Sequence, residues 1–388
     1  MENRSVLGLT AAALGACLTC KPAPRRAPTQ LRPTFASVVA SGSTTSIAEP
    51  PPPRANSDGT GQLVLVTGAT GKVGTVFLDA YRKACPNGVI RALCNNRTLP
   101  PASKLEVVKG SIGDREVCEA AMEGVTHVVH LATVKETPDL VMDVTVKGLF
   151  MLLEVARESP TFKQFMLIGG DAGMGHFFYD HGKPVTETQK WTAYPGCYAL
   201  SKVLEECMLE QYYIQYDLNG CCLMAPWIME TDDYKYSCSF GDDLFGGPPW
   251  KDYVDTATAT RIARAGAGST VPLALDINGK PMQRNFVHVS DLVSCMLLAL
   301  DHPAAKQQKF NVCMDEPLDY GEMAAYMKAS RGIESVECQT EFQSTWLDNS
   351  KAKFQLGWRP WFNLPRLLDA SWDYQRGSDD ARKIWYPG

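Results

Sequence analysis

The chain is expected to be an α/β protein built on a doubly wound parallel sheet, for three reasons. An apolar run, Leu63-Val64-Leu65-Val66-Thr67, ends in glycines at 68, 71 and 74 and leads into a helical pattern. Strand-type and helix-type segments then alternate to about residue 225. A Tyr-x-x-x-Lys pair, Tyr198 and Lys202, opens a later helical stretch of the same alternation. Alternating strands and helices argue for βαβ units, which cross over right-handed and share one C-terminal sheet edge. Ligands of such sheets bind at that edge, where the strand order reverses.

The first element fixes the kind of ligand. A strand buried on both faces reads as continuous β-branched and Leu residues. Glycines after it let the turn tighten. They also let backbone N–H groups and the helix dipole meet an anion at the helix N-terminus. Thr67 to Gly74 therefore reads as a dinucleotide turn, with Gly68, Thr70, Gly71, Lys72, Val73 and Gly74 around a pyrophosphate. An ordinary strand–turn–helix is the competing reading.

The second strand, Gly88 to Cys94, ends in Asn95-Asn96-Arg97 with no acid to hold the ribose hydroxyls of NAD. Arg97 can instead face a 2′-phosphate, which tilts the expectation from NAD towards NADP. A solvated loop arginine is the alternative. Further strands are expected at 105–108, 128–131, 165–168 and 220–224, with a helix over 149–156. No internal repeat is present.

Bulk properties exclude several classes. The 388 residues are 45% hydrophobic and 21% charged, ordinary for a globular chain. A net charge of −5 gives no footprint for nucleic acid. Eleven of the 13 cysteines lie beyond residue 60, without Cys-x-x-Cys spacing or a His at ligand distance, so no metal site is expected. The adjacent Cys221 and Cys222 read as buried free thiols, and the odd total suits a reducing compartment.

Residues 1–60 differ from the rest and carry six Lys/Arg against three Asp/Glu. The apolar stretch Val6 to Thr19 is too short to span a bilayer but suits a signal core. An acid-poor, Ser/Thr/Ala-rich segment and the proline run Pro50 to Pro53 follow. This order resembles the bipartite leaders of algal plastids, so a plastid address is expected. The alternatives are a simple chloroplast or mitochondrial transit peptide, a lipoprotein leader ending at Cys17, and a tail without an address in a cytoplasmic protein.

Tyr198 and Lys202, at i and i+4, share a helix face. An ammonium there favours the phenolate, so the Tyr can exchange a proton with a substrate hydroxyl or carbonyl. At this point the sequence resembles the extended short-chain dehydrogenase/reductase superfamily, in its NAD-dependent epimerase/dehydratase branch. The resemblance covers residues 63 to about 375. It rests on the glycine turn, His130-Leu131-Ala132, Tyr198 to Lys202, Arg284 to Asp291, Phe310-Asn311-Val312 and Ser350 to Trp358.

The resemblance implies a Rossmann-type domain at 61–227 holding NAD(P). It also implies a smaller C-terminal substrate lobe at 228–375, with 284–315 returning to the sheet and 376–388 as a tail. It makes Tyr198 the acid/base and Lys202 the holder of the nicotinamide ribose. It sets Ser111-Ile112 against adenine, Leu131 and Ala132 along the cofactor, and Pro226 near the nicotinamide. It admits a homodimer through the helix bearing the Tyr.

Three departures bear on the chemistry. The family's Ser or Thr after the fifth strand falls at Gly170 or Asp171, neither of which carries a hydroxyl. A backbone N–H, Thr133 or Asp171 must substitute, or the chemistry is altered. Thr133 is favoured, against simple strand-end packing. Thr145 stands where many relatives carry Asn, and no Arg precedes Pro226.

In the lobe, Tyr234, Tyr236, Phe240, Trp250 and Tyr253 serve either a flat substrate or the local core. His176 and His181 follow the fifth strand and can assist proton transfer or simply lie exposed. Three functions compete: a reductase acting on a small molecule by hydride transfer at a hydroxyl/carbonyl carbon, a sugar-nucleotide epimerase/dehydratase, and a non-catalytic dinucleotide sensor or assembly factor.

Overall fold

The computed structural model describes residues 50–182, 184–241, 247–266, 268–378 and 380. The expected leader therefore lies outside the described residues up to position 49, as does most of the expected tail at 376–388. Seven strands form one parallel sheet: β1 (Leu63–Thr67), β2 (Val89–Cys94), β3 (Leu105–Lys109), β4 (His127–His130), β5 (Gln164–Gly170), β6 (Gly220–Ala225) and β11 (Gln308–Asn311). Their order is β11-β6-β5-β4-β1-β2-β3. Chain order reverses between β1 and β4, which pair from Val64–His127 to Thr67–His130. This is the doubly wound Rossmann-type α/β fold.

Alternation along β1 explains the three layers. Val64 and Val66 face a core shared with Phe77, Leu78 and Tyr81 of α1 (Lys72–Ala84) and with α6 (Val289–Ala299). Leu65 faces the opposite core, with α2 (Arg115–Met122), α3 (Lys147–Glu158) and α4 (Cys197–Tyr216). Successive strand residues point to opposite faces. A strand apolar at every position is therefore one that must be covered on both sides.

The remainder forms a smaller lobe. It contains β7 (Trp227–Met229), β8 (Thr270–Leu275), β9 (Gln283–Arg284), β10 (Phe286–His288), β12 (Leu318–Asp319) and β13 (Glu334–Gln339). They pair as β7–β10, β8–β13 and β9–β12. Helices α5 (Thr256–Ala265), α7 (Tyr320–Arg331) and α8 (Leu364–Asp373) complete it. Of residues 284–315, α6 covers the main sheet and β11 extends it, whereas β9 and β10 pair within the lobe. The lobe core holds Tyr234, Phe240 and Trp250, so these aromatics are packing residues. The eleven described cysteines are free, and Cys221 and Cys222 are buried.

Candidate active site

A cleft of about 940 Å³ runs along the C-terminal edge of the sheet, over the β1/β4 reversal. The glycine turn forms one end. Gly68 has φ +65, and a Cβ there would lie 2.9 Å from Ala132 N. A Cβ on Gly74 would lie 2.4 Å from Gly68 O, so the turn can close against α1 only with glycine at that position. The Gly71 N-cap of α1 brings no side-chain cap. The first-turn N–H groups of a helix have no intrahelical partner, and here they are left for an anion. These features fit a dinucleotide pyrophosphate.

Thr67 ties the turn to the neighbouring strand. Its buried hydroxyl accepts from Leu131 N and Ala132 N, both at 3.1 Å, and lies 3.0 Å from His130 Nδ1. This bonding lays Leu131 and Ala132 along the cleft. Burial pulls the His130 pKa down to about 3, so that imidazole is neutral. The next segment is pinned by Thr145, whose Oγ1 accepts from Val134 N at 2.9 Å. Thr145 lies in a stretch of π-helix, Val141–Val146, of the kind often found beside functional sites.

Tyr198 and Lys202 sit on the first turn and a half of α4 and line the same cleft. Lys202 Nζ lies 5.6 Å from the centroid of the Tyr198 ring and pairs with the buried Glu205 at 2.8 Å. Lys135 Nζ lies 4.4 Å from the same ring. Desolvation, then the nearby Lys202 charge, push the Lys135 pKa well below its ordinary value. Gly170 opens the space beside the Tyr: a Cβ there would lie 3.6 Å from the Tyr198 hydroxyl oxygen and 3.7 Å from Lys202 Cδ.

Thr133 lines the cleft with its Oγ1 buried and, among the described residues, without a hydrogen-bond partner. Buried polar groups in folded proteins are nearly always bonded, so this hydroxyl is available to a ligand. Asp171, directly after β5, has its Oδ2 2.6 Å from His176 Nδ1.

Across the cleft stands Arg284, packed on aromatic rings with its guanidinium 4.3 Å from the Phe177 centroid and 4.5 Å from that of Trp227. Desolvation lowers its pKa, and among the described residues no carboxylate forms an ion pair with it.

Placement of the expected residues is uneven. Gly68, Thr70, Gly71, Val73, Gly74, Arg97, Leu131, Ala132, Thr133, Tyr198, Lys202 and Pro226 all line the cleft. Lys72 lines it too, but its ammonium turns to the lobe, bonding Asp233 and the Ile228 carbonyl, the latter at 3.1 Å. Its side chain therefore links the turn to the lobe, whereas the sequence put it beside the pyrophosphate. Ser111 and Ile112 do not line the cleft. Ser111 Oγ accepts from Gly113 N at 3.2 Å, and Ile112 is buried in the core against Gly148.

Lys135, Glu136, Tyr194 and Arg284 join the cleft without having been singled out as site residues, and Asp171, offered as one substitute for the missing hydroxyl, lines it too. Arg284 stood inside a recognised motif. Lys135 lies two positions beyond Thr133, and neither position carried a spacing signal.

Comparison with known proteins agrees with this fold. The family model of GDP-mannose 4,6 dehydratase matches residues 65–370. UDP-glucose 4-epimerase of Neisseria meningitidis serogroup C is 25% identical over 343 residues, 80% of this chain and 96% of that one. Among solved structures, a short-chain dehydrogenase/reductase superfamily protein from Agrobacterium tumefaciens with bound NAD aligns with TM-score 0.67 at 23% identity, over 80% of this chain and 96% of that one. UDP-glucose 4-epimerase of Thermotoga maritima, with UDP-glucose, aligns with TM-score 0.61 at 20% identity, over 81% and 98%. The chain belongs to the extended short-chain dehydrogenase/reductase superfamily, in the epimerase/dehydratase branch that the GDP-mannose 4,6 dehydratase model describes.

Proposed function

We propose that this chain is an NAD(P)-dependent enzyme acting on a nucleotide-linked sugar, with Tyr198 as acid/base and Thr133 as the hydroxyl that polarises the reacting oxygen. The observation that carries the proposal is the placement of the glycine turn, the Tyr198/Lys202 pair and the unpartnered Thr133 hydroxyl along one cleft. Gly68 to Gly74 and Leu131-Ala132 would hold the dinucleotide, and Lys202 its ribose. The nicotinamide, when bound, supplies a hydride acceptor and donor.

Tyr198, favoured as the phenolate by the nearby Lys202 ammonium, takes the substrate hydroxyl proton and becomes the neutral phenol. Arg284, a desolvated cation without a described carboxylate partner, supports an anionic substrate such as a nucleoside diphosphate sugar. The GDP-mannose 4,6 dehydratase family favours the epimerase/dehydratase reading over a simple reductase. The intact Tyr198/Lys202 pair stands against a non-catalytic sensor.

NADP is the preferred cofactor in this reading, because Arg97 is exposed at the rim of the cleft where the strand end has no acid. Arg97→Ala is expected to weaken NADPH binding about tenfold and leave NADH unchanged, as read by nicotinamide fluorescence. Equal effects on both would remove the preference.

A homodimer through α4 is supported by its exposed Leu200, Ile214 and Tyr216, and light scattering measures it. A plastid address for residues 1–60 is tested by fusing them to a fluorescent reporter. Turnover is tested by offering GDP-mannose, UDP-glucose and dTDP-glucose to the purified chain with either cofactor. A Tyr198→Phe variant that binds cofactor but does not turn over supports the enzyme, and no turnover of any sugar by the wild type contradicts it.

A further inference from the structure

We propose that Lys72 and Asp233 form a buried brace through which a bound dinucleotide orders the segment of the cleft that carries the substrate cation. This rests on the cofactor site proposed above. It gives Lys72 a positioning role distinct from holding phosphate.

The brace starts at the first residue of α1, the helix whose N-terminus is left for the pyrophosphate. Lys72 and Asp233 are almost fully buried, at 5% and 1% exposed. Lys72 Nζ donates to the Ile228 carbonyl at 3.1 Å and to Asp233 Oδ2. The same carboxylate oxygen accepts from Glu230 N at 2.9 Å. One long side chain from the glycine turn thus ends on a tight loop, 228–233, that begins the lobe.

That loop is gripped from its other side as well. Thr231 has φ +44, a left-handed backbone rarely adopted by a β-branched residue. Such a conformation persists only where the surroundings over-determine it, and it collects at ligand clamps and switch regions. Arg376, beyond α8, donates to Thr231 Oγ1 at 3.2 Å. It also donates to both carboxylate oxygens of the buried Asp232, from Nε at 3.2 Å and from its second guanidinium nitrogen.

The loop leads from the substrate side of the cleft. Trp227 and Ile228 both line the cleft, and the Arg284 guanidinium packs 4.5 Å from the Trp227 ring centroid. Fixing the Ile228 carbonyl therefore fixes the platform under the cation assigned to the anionic part of the substrate.

A dinucleotide and the brace would join the same two segments. Gly68, Gly71 and Gly74 line the cleft at one, and Ala225 to Ile228 line it at the other. Each tie between two segments lowers the ordering entropy that the other has to overcome, which makes them cooperative. The coupling is reciprocal, so the brace raises cofactor affinity by the factor by which the cofactor steadies the loop.

Hydrogen exchange over residues 228–237, followed by mass spectrometry with and without NADPH or NADH, tests the brace. Cofactor is expected to slow exchange there by about tenfold in the wild-type chain. Lys72→Met and Asp233→Asn are each expected to abolish the slowing and to weaken cofactor binding about tenfold, as read by nicotinamide fluorescence. Asp233→Asn keeps the Lys72 charge at the turn, which separates a brace from a phosphate ligand. Lys72→Met combined with Asp233→Leu removes both charges together and leaves no lone charge buried. This double variant should keep the wild-type circular dichroism and still lose the slowing. Arg376 does not line the cleft, and Arg376→Ala is expected to reduce the slowing by about threefold.

Cofactor binding that leaves 228–237 unprotected in the wild type overturns the brace and leaves the proposed function standing. Full protection in the double variant overturns it too. So does weaker binding in Lys72→Met with wild-type behaviour in Asp233→Asn, which makes Lys72 a phosphate ligand. No binding of either cofactor by the wild type overturns the brace and the proposed function together.

Discussion

At the scale of single residues, the chemistry turns on a missing hydroxyl and a spare one. The sequence showed the loss at Gly170 and offered Thr133 as one of three substitutes. What it could not show is that Thr133 Oγ1 is buried without a partner among the described residues, because hydrogen bonding depends on the folded neighbours and not on spacing. Thr133→Val keeps the volume and removes the hydroxyl. It is expected to lower kcat by about a hundredfold with little change in cofactor affinity, as read by steady-state kinetics and fluorescence titration.

Restoring a hydroxyl at the other position tests the same point from the opposite side. A side chain at 170 would meet its neighbours at ordinary contact distances. Gly170→Ser in the Thr133→Val background is therefore expected to recover about tenfold. No recovery, together with unchanged kcat in Thr133→Val alone, would remove Thr133 from the mechanism.

At the scale of elements, α4 carries more than the Tyr and Lys legible in its sequence. Glu205 lies one turn beyond Lys202 and is almost fully buried against it. Burial raises the Glu205 pKa, opposed by the Lys202 ammonium. The next residue, Glu206, is already engaged by Lys309 at 3.0 Å and by Trp191 Nε1 at 2.9 Å. Glu205→Gln leaves a buried ammonium without its carboxylate. It is expected to cost about 3 kcal/mol of stability in urea denaturation. The helix itself was readable because its apolar positions recur and Tyr198 to Lys202 opens it. The pairing was not readable, because Glu at i+3 from Lys occurs on many exposed helix faces. Only packing of α4 against the sheet makes this one buried.

At the scale of the whole molecule, the parallel sheet and most of its strands were legible, since strands covered on both faces are continuously apolar. The joining of the two lobes was not, because it depends on long-range contacts. Lys72 reaches Asp233 from the glycine turn. Asp291 at the start of α6 accepts from Trp361 N at 2.9 Å and Phe362 N at 2.8 Å. Desolvation raises the Asp291 pKa from 3.8 to about 6, against those two hydrogen bonds.

The folded chain thus holds the Asp291 proton more tightly than the unfolded one. The contribution of this group to stability is fully present below about pH 4 and is lost as pH rises through about 6. Relative to Asp291→Asn, the wild type should lose about 3 kcal/mol across that window in urea denaturation. A flat difference would contradict the assignment.

The central claim, that one cleft joins a dinucleotide to an acid/base pair and a sugar nucleotide, is tested most directly by single-turnover nicotinamide reduction. The purified chain, loaded with NAD(P)+, is mixed with each sugar nucleotide, and wild type is compared with Tyr198→Phe. The account predicts reduction by at least one sugar in the wild type, and a rate lower by about a hundredfold or more in Tyr198→Phe with unchanged cofactor binding. Equal rates in the two proteins, or no reduction by any sugar in a wild type that binds the cofactor, would contradict it.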